Sequence, residues 1–358
     1  MTQNFFKQKI RLGQREVGEG CLPYLVAEMS GNHNQSLERA YAIVDEAAKC
    51  GAHALKIQTY TADTMTLDAE GDGFVIRDPG SLWHGKKLYD LYNEAYTPWD
   101  WHEKIMQRCR QYGMDFFSTP FDESAVDFLE SLSVDFYKIA SFENTDLPLI
   151  RRVAQTGKPV IVSTGMATLE DMQDVASVMQ QANNPNLILL KCTSTYPAEP
   201  KNSHIRSIPD MKSKIGCLVG LSDHTMGVGV ALASIGLGAC LIEKHFTLRR
   251  SDGGVDSAFS MEPEEFHLLV EESRKAAISL GEIHYGPSDA ERASLAFRRS
   301  LYVVADLKVG TELSPKNLRA VRPGLGLSPK FWDDVIGKKV LVDIKSGTPL
   351  AWEHIDRS

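Results

Sequence analysis

Four lysines lie inside otherwise apolar stretches: Lys56 in ALKIQ, Lys138 in DFYKIA, Lys191 in NLILLK and Lys244 in ACLIEKHF. Lysine is almost never fully buried without a partner, so several of them converging on one face call for an anion. Thr119, Ser141, Ser163 and Ser222 stand at comparable positions in the chain and add hydroxyl donors that a phosphate or carboxylate accepts. A small phosphorylated acid is the ligand that this set fits. The plainer alternative is that individual lysines point outward between helices and extend their amines to solvent.

His224 and His245 end neighbouring strand candidates and are flanked by Asp223 and Glu243. Two imidazoles with nearby carboxylates could hold a divalent metal such as Mn²⁺ with positions left open for a substrate oxygen. Hydrogen-bonded structural histidines are the competing explanation. His33, in the loop after the first strand candidate, is either a base or an ordinary loop residue. Cys192 reads as a small buried core residue rather than a nucleophile, because no paired base is identifiable beside it.

These residues need a scaffold. Apolar strand candidates recur at LPYLVAE, ALKIQ, MDFFS, DFYKIA, KPVIVS, NLILLK, IGCLVGL and ACLIEKHF, alternating with amphipathic segments. That is βα repetition. The first helix has Ser36 as its N-cap, an apolar face of Leu37, Ala40, Tyr41, Val44, Ala47 and Ala48, and Gly51 as its stop. Thr97-Pro98 opens another helix, Pro148 and Gly157 bracket a third, and Pro263 to Gly281 frames the last. The pattern predicts an α/β fold, a (β/α)₈ (TIM) barrel over residues 1–285, rather than a doubly wound sheet, since no glycine-rich phosphate loop follows Glu28. In such a barrel, polar residues at strand C-termini face the active site. The stretch 59–96 is far longer than an ordinary βα loop and reads as a substrate lid or wall. Residues 286–298 read as a linker, and 299–358 as a second, β-rich domain too small to be more than marginally stable alone.

The chain has 358 residues, with Lys+Arg 39 against Asp+Glu 47 for a net charge of −8. That balance argues against non-specific nucleic-acid or anionic-membrane binding as the main task. With 43% hydrophobic and 24% charged residues the chain is of globular type. The most apolar run, Val228 to Ile242, is too short and too interrupted for a membrane span and reads as a helix turning into a buried strand. Six cysteines without metal-ligand spacing, and an N-terminus without an apolar leader, point to the cytoplasm.

The ordered motifs AEMSGNHNQSLERA, LKIQTY, FFSTPF, YKIAS, VSTGM, KCTSTYP, GLSDHT and IEKHF, followed by VRPGLG, resemble the nonulosonate (sialic acid) synthase family over nearly the whole chain. The C-terminal domain resembles the antifreeze-like (SAF) module of that family. The resemblance implies metal-assisted condensation of phosphoenolpyruvate with the aldehyde of an N-acetylated amino sugar, giving a nine-carbon 2-keto acid and phosphate. It implies that Lys56, Thr119, Lys138, Ser141, Ser163 and Ser222 hold phosphoenolpyruvate. Glu28, Gln58, Tyr196, Asp256, Phe297 and Arg322 would contact the sugar, and His224 and His245 would bind Mn²⁺, with Mg²⁺ or Co²⁺ as alternatives. Glu28, Lys56, Lys138 and His245 would carry the catalysis. It also implies a homodimer in which the small domain of one chain serves the barrel of the other.

TADTMTLD, GSLWHGKKLYDLY with TPWDWH, and the C-terminal run resemble the branch that takes a 2,4-diacetamido-2,4,6-trideoxy hexose more than the branch that takes N-acetylmannosamine. Ser194 stands where the sialic acid synthase pattern has Asn, which suits a different acceptor. Three rivals remain at this level: the N-acetylmannosamine-using synthase, a Schiff-base aldolase acting through Lys191, and a non-catalytic carbohydrate- or ice-binding protein.

Overall fold

A computed structural model describes residues 4–357. The chain divides into two compact units, Met1–Gly281 and Glu282–Ser358.

The larger unit opens with a hairpin of β1 (Lys9–Leu12) and β2 (Arg15–Gly18), turned at Gly13 with φ of 52°. Eight parallel strands then close into a barrel: β3 (Tyr24–Glu28), β4 (Ala54–Thr59), β5 (Asp115–Pro120), β6 (Tyr137–Ile139), β7 (Val160–Ser163), β8 (Leu187–Cys192), β9 (Leu218–Ser222) and β10 (Leu241–His245), with β10 pairing back to β3. Each expected strand is a barrel strand.

Around them lie α1 (Leu37–Lys49), α2 (Ala62–Met65), α3 (Leu88–Ala95), α4 (Trp99–Gln111), α5 (Glu123–Ser131), α6 (Leu147–Ala154), α7 (Leu169–Gln181), α8 (Ser207–Ile215), α9 (Gly229–Gly236) and α10 (Pro263–Ser279). Local chemistry sets the helix ends. The Ser36 hydroxyl accepts from the Arg39 amide at 3.2 Å, and the Asp122 and Asp146 carboxylates receive the first free amides of α5 and α6. The apolar run from Val228 becomes α9 and then β10. Among the described residues no helix is long and apolar enough to cross a membrane.

Both faces of the barrel sheet are buried, so its strands are near-continuous apolar runs. Alternate residues separate two cores. Ile161, Ile188, Leu190, Leu218 and Leu241 pack inside the barrel, while Val160, Val162, Leu187, Leu189 and Ile242 pack outward against the helices. The inner core also contains Ile10, Leu12 and Val17, so the β1–β2 hairpin stops the barrel at the N-terminal ends of its strands. The Tyr24 hydroxyl donates to Asp115 Oδ2 at 2.7 Å, and the Gln14 amide donates to Asp115 Oδ1 at 3.3 Å, fastening that seal. The hairpin was not among the sequence expectations, although KIRLGQREVG carries its alternation and glycine turn.

The smaller unit pairs β11 (Ser300–Val303) antiparallel with β12 (Leu318–Val321). Leu301, Val303, Leu313, Leu318, Val335 and Leu350 form its own core. Asp289–Phe297, within the stretch expected as a linker, forms a 3-10 helix.

Candidate active site

Strand register gathers the polar residues at the C-terminal mouth of the barrel. His245 is paired with Glu28 across β10 and β3, Glu28 with Lys56 across β3 and β4, and Gln58 with Thr119 across β4 and β5. Lys56 Nζ lies 2.9 Å from Glu28 Oε2, 3.4 Å from Glu243 Oε1 and 3.2 Å from Thr119 Oγ1. Lys138 Nζ donates to both oxygens of Glu243 at 2.9 Å. All four charged groups are buried, none more than 4% exposed. The expectation of a cationic cluster waiting for an anion therefore needs correction, because two carboxylates already balance the two inward-facing lysines.

Desolvation and pairing set the titration of this quartet. Burial raises the Glu28 carboxyl, and the Glu243 charge adds to that against the pull of Lys56. Burial also acts on Glu243, but Lys138 and Lys56 outweigh it and hold that carboxyl low. Burial lowers Lys138. For Lys56 the two carboxylates overcome burial and raise it.

Lys191 and Lys244 face the other way. On β10, Glu243 and His245 point inward and Lys244 outward, as the two-residue period of a strand demands. Lys244 Nζ donates to Asp223 Oδ2 at 2.9 Å, Thr225 O at 2.6 Å and Gly227 O at 3.0 Å. It thus fastens the loop that carries His224. Lys191 Nζ donates to Cys192 O at 2.7 Å and lines a cavity with Lys201, His204, Arg206 and Val230 outside the barrel. A Schiff base on Lys191 would form away from the Lys56–Lys138 cluster, which removes the geometry that the aldolase alternative requires. Asp223 and Glu243, expected beside the histidines as metal-side carboxylates, are committed to Lys244 and to Lys138 with Lys56.

His224 and His245 do meet, with ring centroids 5.3 Å apart. His224 Nδ1 lies 2.9 Å from Thr193 O and donates to it, so Nε2 is the ring nitrogen left to act as a ligand. His245 Nδ1 is buried with no hydrogen-bond partner, 4.0 Å from Asp256 Oδ2. Burial, His224 and the nearby lysines push His245 well below the usual imidazole range, so it is neutral at pH 7. Two facing imidazoles, one of them neutral and the other anchored through Nδ1, fit as ligands to a divalent cation, and among the described residues no set of three or more His, Cys, Asp or Glu groups does. Any further positions would be filled by substrate or water.

Gln58 Nε2 donates to Glu28 Oε1 at 3.0 Å and Ser30 Oγ at 3.1 Å, while Ser30 donates to Asp256. Tyr196 packs 4.5 Å from His224 and 5.1 Å from Phe259, which in turn lies 4.8 Å from His245. Ser141 Oγ accepts from the Gly165 amide at 3.2 Å. A Cβ on Gly165 would lie 2.0 Å from Ser194 Oγ, so only glycine allows that approach. Ser222 is buried, and Ser163 Oγ is buried without a partner. Orphaned buried polar atoms cost about 1–3 kcal/mol each, and finding two of them, Ser163 Oγ and His245 Nδ1, in one mouth marks the place of a polar ligand.

Phe297 and Arg322 belong to the smaller unit, where Phe297 ends the 3-10 helix and is 66% exposed, and Arg322 follows β12. His33 is fully buried, bonded to Thr97 and packed on Trp101, with burial lowering its pKa to about 4. It is a structural residue. Cys192 is buried as expected, yet it has a neighbour that sequence did not show: His224 Nδ1 at 4.0 Å. Burial raises that thiol, but His224 and Ser141 bring it down to about 7. Sequence reasoning missed Ser30, Phe259 and Trp83, and it saw Glu243 only as a neighbour of His245. For Glu243 the signal was available, since residues two apart on a strand share a face.

A family model described as the NeuB family matches residues 43–285. The chain belongs to the NeuB family. A SAF domain model matches residues 298–356 of this NeuB-family chain. It is 41% identical over 327 residues to pseudaminic acid synthase of Campylobacter jejuni subsp. jejuni serotype O:2, covering 91% of this chain and 95% of that protein. Over 338 residues it is 41% identical to pseudaminic acid synthase of Helicobacter pylori, covering 94% and 98%. Among solved structures, N-acetylneuraminic acid synthetase from Leptospira borgpetersenii superimposes with a TM-score of 0.71 at 29% identity, over 80% of this chain and 95% of that one.

Proposed function

We propose that this enzyme is a pseudaminic acid synthase. It joins phosphoenolpyruvate to a 2,4-diacetamido-2,4,6-trideoxy hexose of altro configuration, with release of phosphate. The observation that carries the chemistry is the buried quartet of Lys56, Lys138, Glu28 and Glu243 beside the facing imidazoles of His224 and His245. The acceptor rests on 41% identity to synthases of that name, against 29% to the N-acetylneuraminic acid synthetase.

Lys56 and Lys138 hold the phosphate and carboxylate of phosphoenolpyruvate, with Thr119, Ser141, Ser163 and Ser222 as hydroxyl donors. Because Glu28 and Glu243 already balance the lysines, the anionic substrate leaves the cluster negative. A divalent cation on His224 and His245, Mn²⁺ in the first instance, supplies the missing positive charge and Lewis acidity toward the acceptor aldehyde. Glu28, Gln58, Tyr196 and Asp256 orient the sugar. The enol carbon of phosphoenolpyruvate attacks the aldehyde carbon, forming the new C–C bond while the C=O π pair moves onto the aldehyde oxygen. Water adds at the cationic carbon left behind, and the C–O bond to phosphate then breaks to give the 2-keto acid. Glu28, whose carboxyl is raised by burial and by the Glu243 charge, receives the proton of that water and passes it to the former aldehyde oxygen. Lys56 and Lys138 stabilise the departing phosphate in a site screened from bulk water.

Phe297 and Arg322 complete the acceptor site in a homodimer that exchanges small domains between chains. All six cysteines are free thiols, which suits a cytoplasmic enzyme.

The deciding experiment incubates the protein with phosphoenolpyruvate, Mn²⁺ and a panel of N-acetylated hexoses and follows phosphate release. Release that depends on the diacetamido-trideoxy hexose is expected. Preference for N-acetylmannosamine would reassign the acceptor, and no release with any hexose would refute the condensation.

A further inference from the structure

The stretch 59–96 leaves the barrel after β4 and returns at α4. Its middle folds on itself. Val75 and Lys87 form an antiparallel bridge, Ile76 N donates to Lys86 O at 3.0 Å, and Gly85 N donates to Ile76 O at 2.8 Å. Lys87 pairs with Asp68 at 2.7 Å and Glu70 at 3.3 Å, and Tyr89 donates to Asp63 at 3.0 Å, so the base of the loop is tied down. Its tip carries Trp83, whose backbone amide is held by Ser81 Oγ at 3.2 Å.

Trp83 reaches across the mouth. Its indole N–H donates to Val255 O at 2.9 Å, in the loop after β10, and its ring lies 5.9 Å from Tyr196, in the loop after β8. Val255 precedes Asp256, which receives the Ser30 hydroxyl and lies beside His245. One side chain from the insertion thus joins two loops that each supply a residue assigned above to the sugar. Trp83, Tyr196 and Phe259 form an apolar wall along that side.

We infer that Trp83 is a positioning residue that sets acceptor specificity. It pins the Val255–Asp256 peptide and Tyr196, and the wall it closes accepts the methyl groups of a diacetamido, 6-deoxy sugar while leaving a hydroxymethyl or free hydroxyl there without a hydrogen-bond partner. This inference rests on the proposed synthase reaction.

The test compares Trp83→Ala and Trp83→Phe with the wild type in steady-state assays, using phosphoenolpyruvate and either the diacetamido-trideoxy hexose or N-acetylmannosamine. For Trp83→Ala the KM of the diacetamido sugar should rise about tenfold and its kcat/KM advantage over N-acetylmannosamine should shrink about tenfold, while the KM of phosphoenolpyruvate stays within about twofold. Trp83→Phe keeps the ring and loses the N–H, so it should raise the sugar KM by a few-fold and keep most of the preference. It also carries the test if the alanine variant does not fold. An unchanged sugar KM in both variants overturns the inference, as does an equal loss on both sugars and on phosphoenolpyruvate, which marks a purely structural role. Wild-type enzyme that releases no phosphate with either sugar refutes the synthase reaction itself, a result distinguishable from failure of the Trp83 assignment.

Discussion

Glu143 offers a direct check on how the barrel mouth treats charge. It ends the 3-10 turn Ser141–Glu143, just beyond the strand that carries Lys138, and its Oε2 is buried without a partner. Burial pushes its carboxyl from the ordinary 4.5 up to about 7, the backbone opposing and Asp146 adding. An acid whose pKa is raised by folding binds its proton more tightly in the native state. Its contribution to stability is whole below about pH 4.5 and is lost as pH climbs through about 7. A shift of about 2.5 units at 1.36 kcal/mol each is worth about 3 kcal/mol. Glu143→Gln keeps the shape of the protonated acid and does not titrate. Urea unfolding of both proteins at several values between about pH 5 and pH 8 should therefore show the glutamine variant gaining on the wild type by about 2–3 kcal/mol across the range. Other titrating groups are shared by the two proteins and cancel in the difference. A difference that stays constant with pH would mean that this carboxylate is ionised and hydrated throughout, and the burial argument would fail.

Four further outcomes are expected. Lys138→Met should weaken phosphoenolpyruvate binding about 10- to 100-fold by calorimetry and leave sugar affinity nearly unchanged, since one charge-assisted contact is worth about 1.5–3 kcal/mol; wild-type binding would discard the assignment. Excess chelator should abolish turnover and Mn²⁺ restore it, and His245→Ala should be inactive with its circular dichroism spectrum intact; full activity in chelator would remove the metal from the proposal. Lys244→Met should cost about 3–5 kcal/mol in unfolding free energy, because the Asp223 carboxylate is left buried and unpaired; a change under about 1 kcal/mol would show that water reaches that loop. Refolding His245→Ala together with Arg322→Ala should make about half the dimers mixed, each with one intact composite site, and return about a quarter of wild-type activity; mixed dimers without activity would exclude the exchanged arrangement.

The barrel was legible because each strand is a short apolar run and each helix carries its own punctuation, as at Ser36, Pro148 and Pro263. The direction of each lysine was not. Where both faces of a strand are buried, polarity does not mark the inward side, so Lys191 and Lys244 look like Lys56 and Lys138 until the barrel closes. Charge balance was hidden for a related reason. Glu28, Lys56, Lys138 and Glu243 come from four strands spread over more than two hundred residues, and only the closure of β10 on β3 brings them together. Trp83 was illegible because its partners, Val255 and Tyr196, sit on loops whose positions no local pattern encodes.

The hairpin at the foot of the barrel makes the lumen a cul-de-sac. Whatever enters by the strand C-termini must leave by the same door. Glu28 stands level with Lys56 and Gln58 with Thr119, so the groups proposed for the sugar and for phosphoenolpyruvate interleave at one depth. In the proposed reaction the phosphate and the 2-keto acid would leave through the opening by which both substrates came, and product lingering there would hold up the next round.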